Sequence, residues 1–74
     1  MPLTYAKINA DYVITKVKES SAIRRLLDLG FTPNSIIRVR SVEPKLEAML
    51  VEIRGVLVAL RKSVTDSILV EVKN

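Results

Sequence analysis

Reactive side chains are scarce in this sequence, and the missing ones narrow its chemistry. The 74 residues contain neither histidine nor cysteine. That removes the common nucleophile–base pairs and the usual nitrogen and sulfur ligands of zinc. Carboxylate, ammonium, guanidinium and hydroxyl groups remain. Asp28, Glu43, Glu47, Glu52 and Asp66 each stand alone in the pattern, so no carboxylate pair is set up for general acid–base work. Gly30 and Gly55 are the only glycines, too few for a phosphate-cradling loop. These residues do not predict an enzyme, and no catalytic, cofactor-binding or metal-binding residue is assigned.

Three kinds of binding chemistry remain to be weighed. Glu43 and Glu47 flank Pro44 and could offer oxygen ligands to a hard divalent cation; carboxylates beside a proline loop are more simply read as solvated. Twelve Lys and Arg against eight Asp and Glu leave a net charge of +4, a balance that can mark a nucleic-acid or membrane-surface partner. The basic residues are scattered from Lys7 to Lys73 without a run, which fits a solvated surface better. Arg38 and Arg40 are the best basic candidates, but Tyr12 and Phe31 have structural uses, and the aromatic platform of RNA-binding barrels is missing. The third kind is apolar. Ile36, Leu50, Leu57 and Leu69 lie opposite the residues assigned to the core, and left exposed they would form a patch for a protein partner. Coiling of the sheet, or a helix, would otherwise cover them.

The elements that must carry these groups are short. Tyr12–Val17 is β-branched and aromatic, as a half-buried strand requires, although either of its faces could be the inner one. Ser20 and Ser21 are candidate helix N-caps. Ile23, Leu26 and Leu27 follow at helical spacing as one buried stripe. Gly30 suits a left-handed helix stop, with Phe31 placed to pack back on Leu26. Thr32-Pro33-Asn34 reads as a turn. Residues 35–42 return to strand, with Ile37 and Val39 inward. Residues 43–47 read as a loop around Pro44. Residues 49–53 and 56–60 read as a hairpin across Arg54-Gly55, with Val51, Ile53, Val56, Val58 and Leu60 inward. Residues 62–67 read as a polar 3₁₀-like turn, and residues 68–72 as a last strand with Ile68, Val70 and Val72 inward.

The sum is mainly β: about five strands with one short helix, about residues 21–29, between the first and second. A chain this short buries only roughly 60% of its unfolded surface, and it has no disulfide to help. Half-closing the sheet into a small SH3-like barrel, plugged at one end by the helix, limits its exposed edges. Residues 1–74 are expected to form a single domain. The longest apolar run, Val56–Leu60, falls far short of the ~20 residues of a membrane span. With no signal-peptide pattern and no cysteine, a cytoplasmic location is expected.

The segment Arg25-Leu26-Leu27-Asp28-Leu29-Gly30-Phe31-Thr32-Pro33-Asn34-Ser35 resembles the Arg-Leu-x-x-Leu-Gly-hydrophobic-x-Pro-Gly-x motif of the ferrous iron transport protein A (FeoA) family. Val58-Ala59-Leu60-Arg61 is similar to that family's hydrophobic-Ala-Leu-Arg, and Ile68-Leu69-Val70 to its closing strand. The spacing agrees over about Leu3 to Glu71, and the same SH3-like domain ends the iron-dependent repressors. The chain departs from the pattern at Asn34, where the family has glycine, and at Asn9-Ala10, where a glycine is expected. Leu46-Glu47-Ala48 replaces a Gly-Asp-Pro-like turn, and Thr65 stands at an alanine position.

The resemblance implies a small accessory protein of bacterial ferrous iron uptake that acts by protein contact with a membrane transporter carrying a GTP-binding domain. A basic nucleic-acid-binding barrel and a carboxylate-based metal sensor are the alternatives. Loop exposure nominates a groove between the Glu43–Ala48 loop and the Arg54–Gly55 hairpin as the contact region, through Glu43, Lys45, Glu47 and Arg54. The helix residues Arg24 and Arg25 come second. Either a monomer or a homodimer is compatible with this reading.

Overall fold

The computed structural model describes all of residues 1–74. In chain order the elements are β1 (Asp11–Val17), α1 (Ile23–Asp28), β2 (Ile36–Glu43), β3 (Ala48–Ile53), β4 (Val56–Arg61), α2 (Lys62–Thr65) and β5 (Ile68–Val72). Single 3₁₀ turns lie at Leu3–Tyr5 and Pro44–Leu46. The strands form one antiparallel sheet in the order β4-β3-β2-β1-β5. Register shifts between Ile14 and Lys16 and between Val39 and Ser41 mark bulges, which bend strands and sharpen their twist. The coiled sheet is half-closed: β4 and β5, its two ends, are connected through α2 and are not paired with each other.

The helix-to-strand segment is built from two consecutive turns. The Phe31 N–H donates to the Leu26 carbonyl at 2.9 Å and the Gly30 N–H to that of Leu27 at 3.0 Å. These paired bonds satisfy carbonyls that the end of α1 would leave open. They require a left-handed residue between helix and strand, and Gly30 has φ +99°. Phe31 is completely buried behind it. The Ser35 N–H then donates to the Thr32 carbonyl at 3.0 Å, with Asn34 at φ +75°. Proline second and a positive φ third make this a type II turn.

Both asparagine departures from the family pattern are thereby explained. Asn34 and Asn9 have φ values of 75° and 64°, and asparagine is the residue that most readily replaces glycine in the left-handed region. The β3–β4 turn has Arg54 at φ 51° and Gly55 at φ 76°, the two successive positive values of a type I′ hairpin.

Several local expectations need correction. The N-cap of α1 is Ala22, with no side-chain cap bond; Ser20 instead accepts from the Ala22 N–H at 3.3 Å and organises the preceding turn. The buried stripe of α1 is Ala22, Leu26 and Leu29, an i, i+4, i+7 set on one face. Leu27 is 44% exposed, because the terminal cap turns Leu29 inward. On β1 the inner residues are Tyr12 and Ile14, and the Tyr12 hydroxyl accepts from the Lys7 N–H at 2.8 Å. Val56 and Val72 are exposed, since each lies at the far end of an outer strand, beyond the core. Residues 62–65 form an α-helical turn where a 3₁₀ turn was expected.

The N-terminal segment has a role that its composition does not announce. Leu3 is completely buried in the core. Pro2 bridges Leu69, and the Val70 N–H donates to the Met1 carbonyl at 2.7 Å. The free edge of β5 is therefore covered, as exposed sheet edges require.

The cap geometry makes Gly30 the least replaceable residue of this segment. A Cβ there would lie 3.1 Å from Nε of Arg54, on a backbone that disfavours any side chain. Gly30→Ala is expected to lower unfolding free energy by about 1–2 kcal/mol, read from urea denaturation. Asn34→Gly is expected to fall within about 0.5 kcal/mol of the unsubstituted chain.

Candidate functional site

The nominated loops do not share a groove. Register pairs Ile53 with Val56 at the hairpin turn and Ala48 with Arg61 at the other end. The Glu43–Ala48 loop and Arg54–Gly55 therefore sit at opposite ends of β3, about 17 Å apart at strand rise. What links them is β4, an end strand of the sheet. Arg54 lies two residues before its first residue, in the hairpin turn. At its last residues a cleft of about 600 Å³ brings Lys45, Leu46 and Glu47 together with Ala59, Leu60 and Arg61. A second cleft, of about 170 Å³, lies between α1 and the same stretch of β4, lined by Ala22, Arg25, Leu26, Ala59, Leu60 and Arg61 with Val64. Lys45, Glu47, Arg25 and Arg54 thus all border β4. Arg24 is exposed on α1 outside both clefts.

Glu43 belongs to a third space, about 190 Å³, with Thr4, Val42, Met49 and Lys62 among its walls. Its carboxylate accepts from the Lys45 N–H at 3.2 Å, capping the 3₁₀ turn that Glu47 closes with φ 48°. Beside this space a polar network ties the N-terminus to α2. The Thr4 hydroxyl donates to the Asp66 carboxylate, which also accepts from Nζ of Lys62 at 3.0 Å. Thr4 gives its one proton to the carboxylate, and the Thr65 hydroxyl has the Thr4 oxygen at 2.8 Å and the Lys62 carbonyl at 3.2 Å as acceptors for its own. Thr65 is completely buried. The hydroxyl at the family's alanine position is accommodated because Thr4 faces it.

Electrostatics separate used from unused charge. Nε of Arg38 contacts the Asp11 carboxylate at 2.7 Å, and Nε of Arg40 contacts Glu52 at 3.4 Å. The hydrogen bond from Arg38 holds the Asp11 carboxyl below its ordinary range. Such half-exposed pairs add little stability, but they neutralise the two arginines best suited to nucleic acid. Tyr12 and Phe31 are buried as well, leaving Tyr5 as the one exposed aromatic. By contrast, Arg24, Arg25, Arg54 and Arg61 have no ion-pair partner. The Arg54 side chain packs over Gly30, beside the carbonyl end of α1, where a cation is favoured. No third Asp or Glu joins Glu43 and Glu47 in a metal-sized cluster.

The outer face of the sheet retains Ile36 and Leu57 as exposed apolar residues, with Val56 exposed at the end of β4 and Leu46, at 72%, in the Pro44–Leu46 turn. Leu50 and Leu69 are half-buried. Sequence reasoning named Ile36 and Leu57 but missed Leu46, and it treated Arg61 only as part of a motif. Residues 56–60 are apolar on both faces, a pattern that ordinarily marks a strand covered on both sides; here Leu57 is left exposed. The Thr4–Thr65–Asp66 network carried no such pattern.

A half-open barrel of five antiparallel strands, with one short helix between the first two and another before the last, defines the chain as a small SH3-like barrel. The FeoA domain family matches residues 1–72, and the chain belongs to that family. Among solved structures it is similar to FeoA from Chlorobium tepidum, with 27% identity and a TM-score of 0.87 over 97% of this chain and 70% of that one. It is also similar to FeoA from Stenotrophomonas maltophilia complexed with zinc, described as a prokaryotic SH3 domain protein, with 26% identity and a TM-score of 0.86 over 96% of this chain and 89% of that one. A manganese-dependent transcriptional repressor shares the fold at 17% identity and a TM-score of 0.89, over 99% of this chain and 36% of the repressor. No curated protein sequence matches. Family membership makes the chain an accessory protein of ferrous iron transport. No helix is long and apolar enough to cross a membrane.

The Asp66 network has a testable pH signature. The Thr4 hydroxyl first, and Lys62 second, hold the Asp66 carboxyl below its ordinary value of 3.8. A carboxyl lowered by folding stabilises the native state fully above its unfolded pKa and stops doing so as pH falls through the lowered native one. The urea midpoint should therefore drop on acidification below about pH 4. Asp66→Asn should flatten the Asp66 share of that drop, leaving the share of Asp11.

Proposed function

We propose that this protein acts in ferrous iron uptake by binding the cytoplasmic GTP-binding part of the membrane iron transporter, without catalysing a reaction itself. The observation that carries the reading is membership of the FeoA family over residues 1–72. Several features support action by contact. The histidine and cysteine of the common nucleophile–base pairs are lacking. Arg38, Arg40 and Lys62 are paired with carboxylates within the protein, whereas Arg25, Arg54 and Arg61 around β4 have no ion-pair partner. Exposed apolar side chains adjoin them, the mixture of apolar centre and charged rim that protein interfaces use.

The contact region of this proposal is the border of β4. Arg54 and Arg25 contribute from the hairpin and helix side, with Arg24 more peripheral on α1, and Lys45 and Glu47 from the far end. Glu43 acts more remotely, by holding the Pro44–Leu46 turn in shape.

The test is a pull-down and a calorimetric titration against the isolated GTP-binding domain of the transporter. Binding in the micromolar range is expected, and joint replacement of Arg25 and Arg54 by Glu should weaken it about tenfold or more. An absence of binding at high micromolar concentrations rejects the assignment. Retention of the chain on RNA or DNA columns, lost steeply with added salt, would favour a nucleic-acid partner instead.

A further inference from the structure

The two ends of the sheet are treated differently. The outer edge of β5 is occupied by the N-terminal residues, through the Pro2–Leu69 bridge and the Met1–Val70 bond. The outer edge of β4 has no such cover. In a hairpin with a two-residue turn, the residues flanking the turn exchange hydrogen bonds and the pattern then alternates. With Ile53 opposite Val56, residues 56, 58 and 60 bond inward to β3. Leu57 and Ala59 turn their N–H and C=O groups to the open edge. Neither makes a backbone bond to any turn, loop or cap. Leu57 is 54% exposed, and Ala59 is exposed as well.

An uncovered apolar edge invites a further strand, and most natural edges are blocked against one. This edge is selective rather than blocked. Arg54 precedes it, Arg61 and Lys62 end it, and Arg25 overhangs it across the cleft from α1. Asp28 is the lone carboxylate of α1. A second copy of β4, paired antiparallel about Val58 so that Leu57 of each copy faces Ala59 of the other, would bring Arg61 of one copy opposite Gly55, next to Arg54, of the other. Four arginines would then meet with no carboxylate on either strand. Like charges placed so are destabilising, so the edge discriminates against its own copy and in favour of a negatively charged strand.

We infer that the open edge of β4, with its α1-side cleft, binds an extended acidic segment of a partner protein by strand addition. Leu57 and Ala59 supply the main-chain bonds, the apolar cleft takes alternate side chains, and Arg25, Arg54 and Arg61 meet carboxylates. Strand addition draws affinity from such main-chain bonds and specificity from the pockets and charges beside them. The inference rests on the reading that the chain works by protein contact, and it names the surface and the shape of what is bound.

The experiment titrates the ¹⁵N-labelled full chain with an end-blocked peptide, Glu-Val-Glu-Val-Asp-Val-Glu, and in parallel with its lysine counterpart. The acidic peptide should shift the amides of Leu57 and Ala59 and slow their hydrogen exchange, and the lysine peptide should do neither. Ala59→Pro removes one outward N–H on a strand edge, where proline is tolerated, and should abolish the effect. If that variant does not fold, joint Arg25→Glu and Arg61→Glu replacement serves, with affinity expected to fall about tenfold or more. No shift at millimolar peptide, or shifts confined to residues 43–47, overturns the proposal. Shifts of Leu57 and Ala59 with protein concentration alone would make the occupant a second copy and overturn it too. The same spectra recorded with the transporter domain separate the two readings. Domain binding that leaves β4 unperturbed overturns strand addition and keeps the transporter assignment. Peptide binding without domain binding keeps strand addition and overturns that assignment.

Discussion

The turn at Gly30 is the constraint on which the arrangement of this barrel rests. One residue in a left-handed conformation lets two N–H groups double back on α1, ends the helix and points the chain into β2. The same turn drives Phe31 into the core and rolls α1 so that Ala22, Leu26 and Leu29 face inward. Arg54 packs on the space left by the missing side chain, so the helix end and the β3–β4 hairpin meet at the same point. A bulkier residue at position 30 would disturb both at once. This accounts for the family resemblance being densest here.

A second theme is the unequal treatment of charge. Asp11–Arg38, Glu52–Arg40 and Asp66–Lys62 each pair an acid with a base on or beside the sheet. Each pair is weak in stability terms because it is half solvated. Arg25, Arg54 and Arg61 are left without ion pairs around one strand, β4, while the other unpaired basic residues are spread over the surface. That strand is the outer one whose main chain lacks a cover.

Departures from the family pattern are compensated locally. Asn9 and Asn34 take up the left-handed conformations that glycine would otherwise supply, since a short polar side chain tolerates them better than most. Thr65 replaces alanine at a fully buried position, and the buried hydroxyl is satisfied by Thr4, 61 residues away in sequence. Glu47 adopts φ 48° without either device, held by the turn that Glu43 caps.

Much of the fold was legible in the sequence because its signals are local. The hairpin at Arg54-Gly55, the stop at Gly30 and the Pro33-Asn34 turn each follow from the conformational limits of one or two residues. Inward faces were legible where apolar and polar residues alternate cleanly, as at Ile37 and Val39. They were not legible on β1, where both faces are apolar and a bulge interrupts the alternation, nor on α1, where a cap rather than periodicity sets the rotation. The candidate site was the least legible part. Loop exposure placed the Glu43–Ala48 loop and the Arg54–Gly55 turn in one groove, although the intervening strand of residues 49–53 holds them apart. By itself the sequence determined the order of the elements and their turns, because each depends on residue type and near neighbours. The tertiary structure alone decided which arginines stay unpaired, which sheet edge stays open and what the N-terminus covers, because those depend on contacts between residues far apart in the chain.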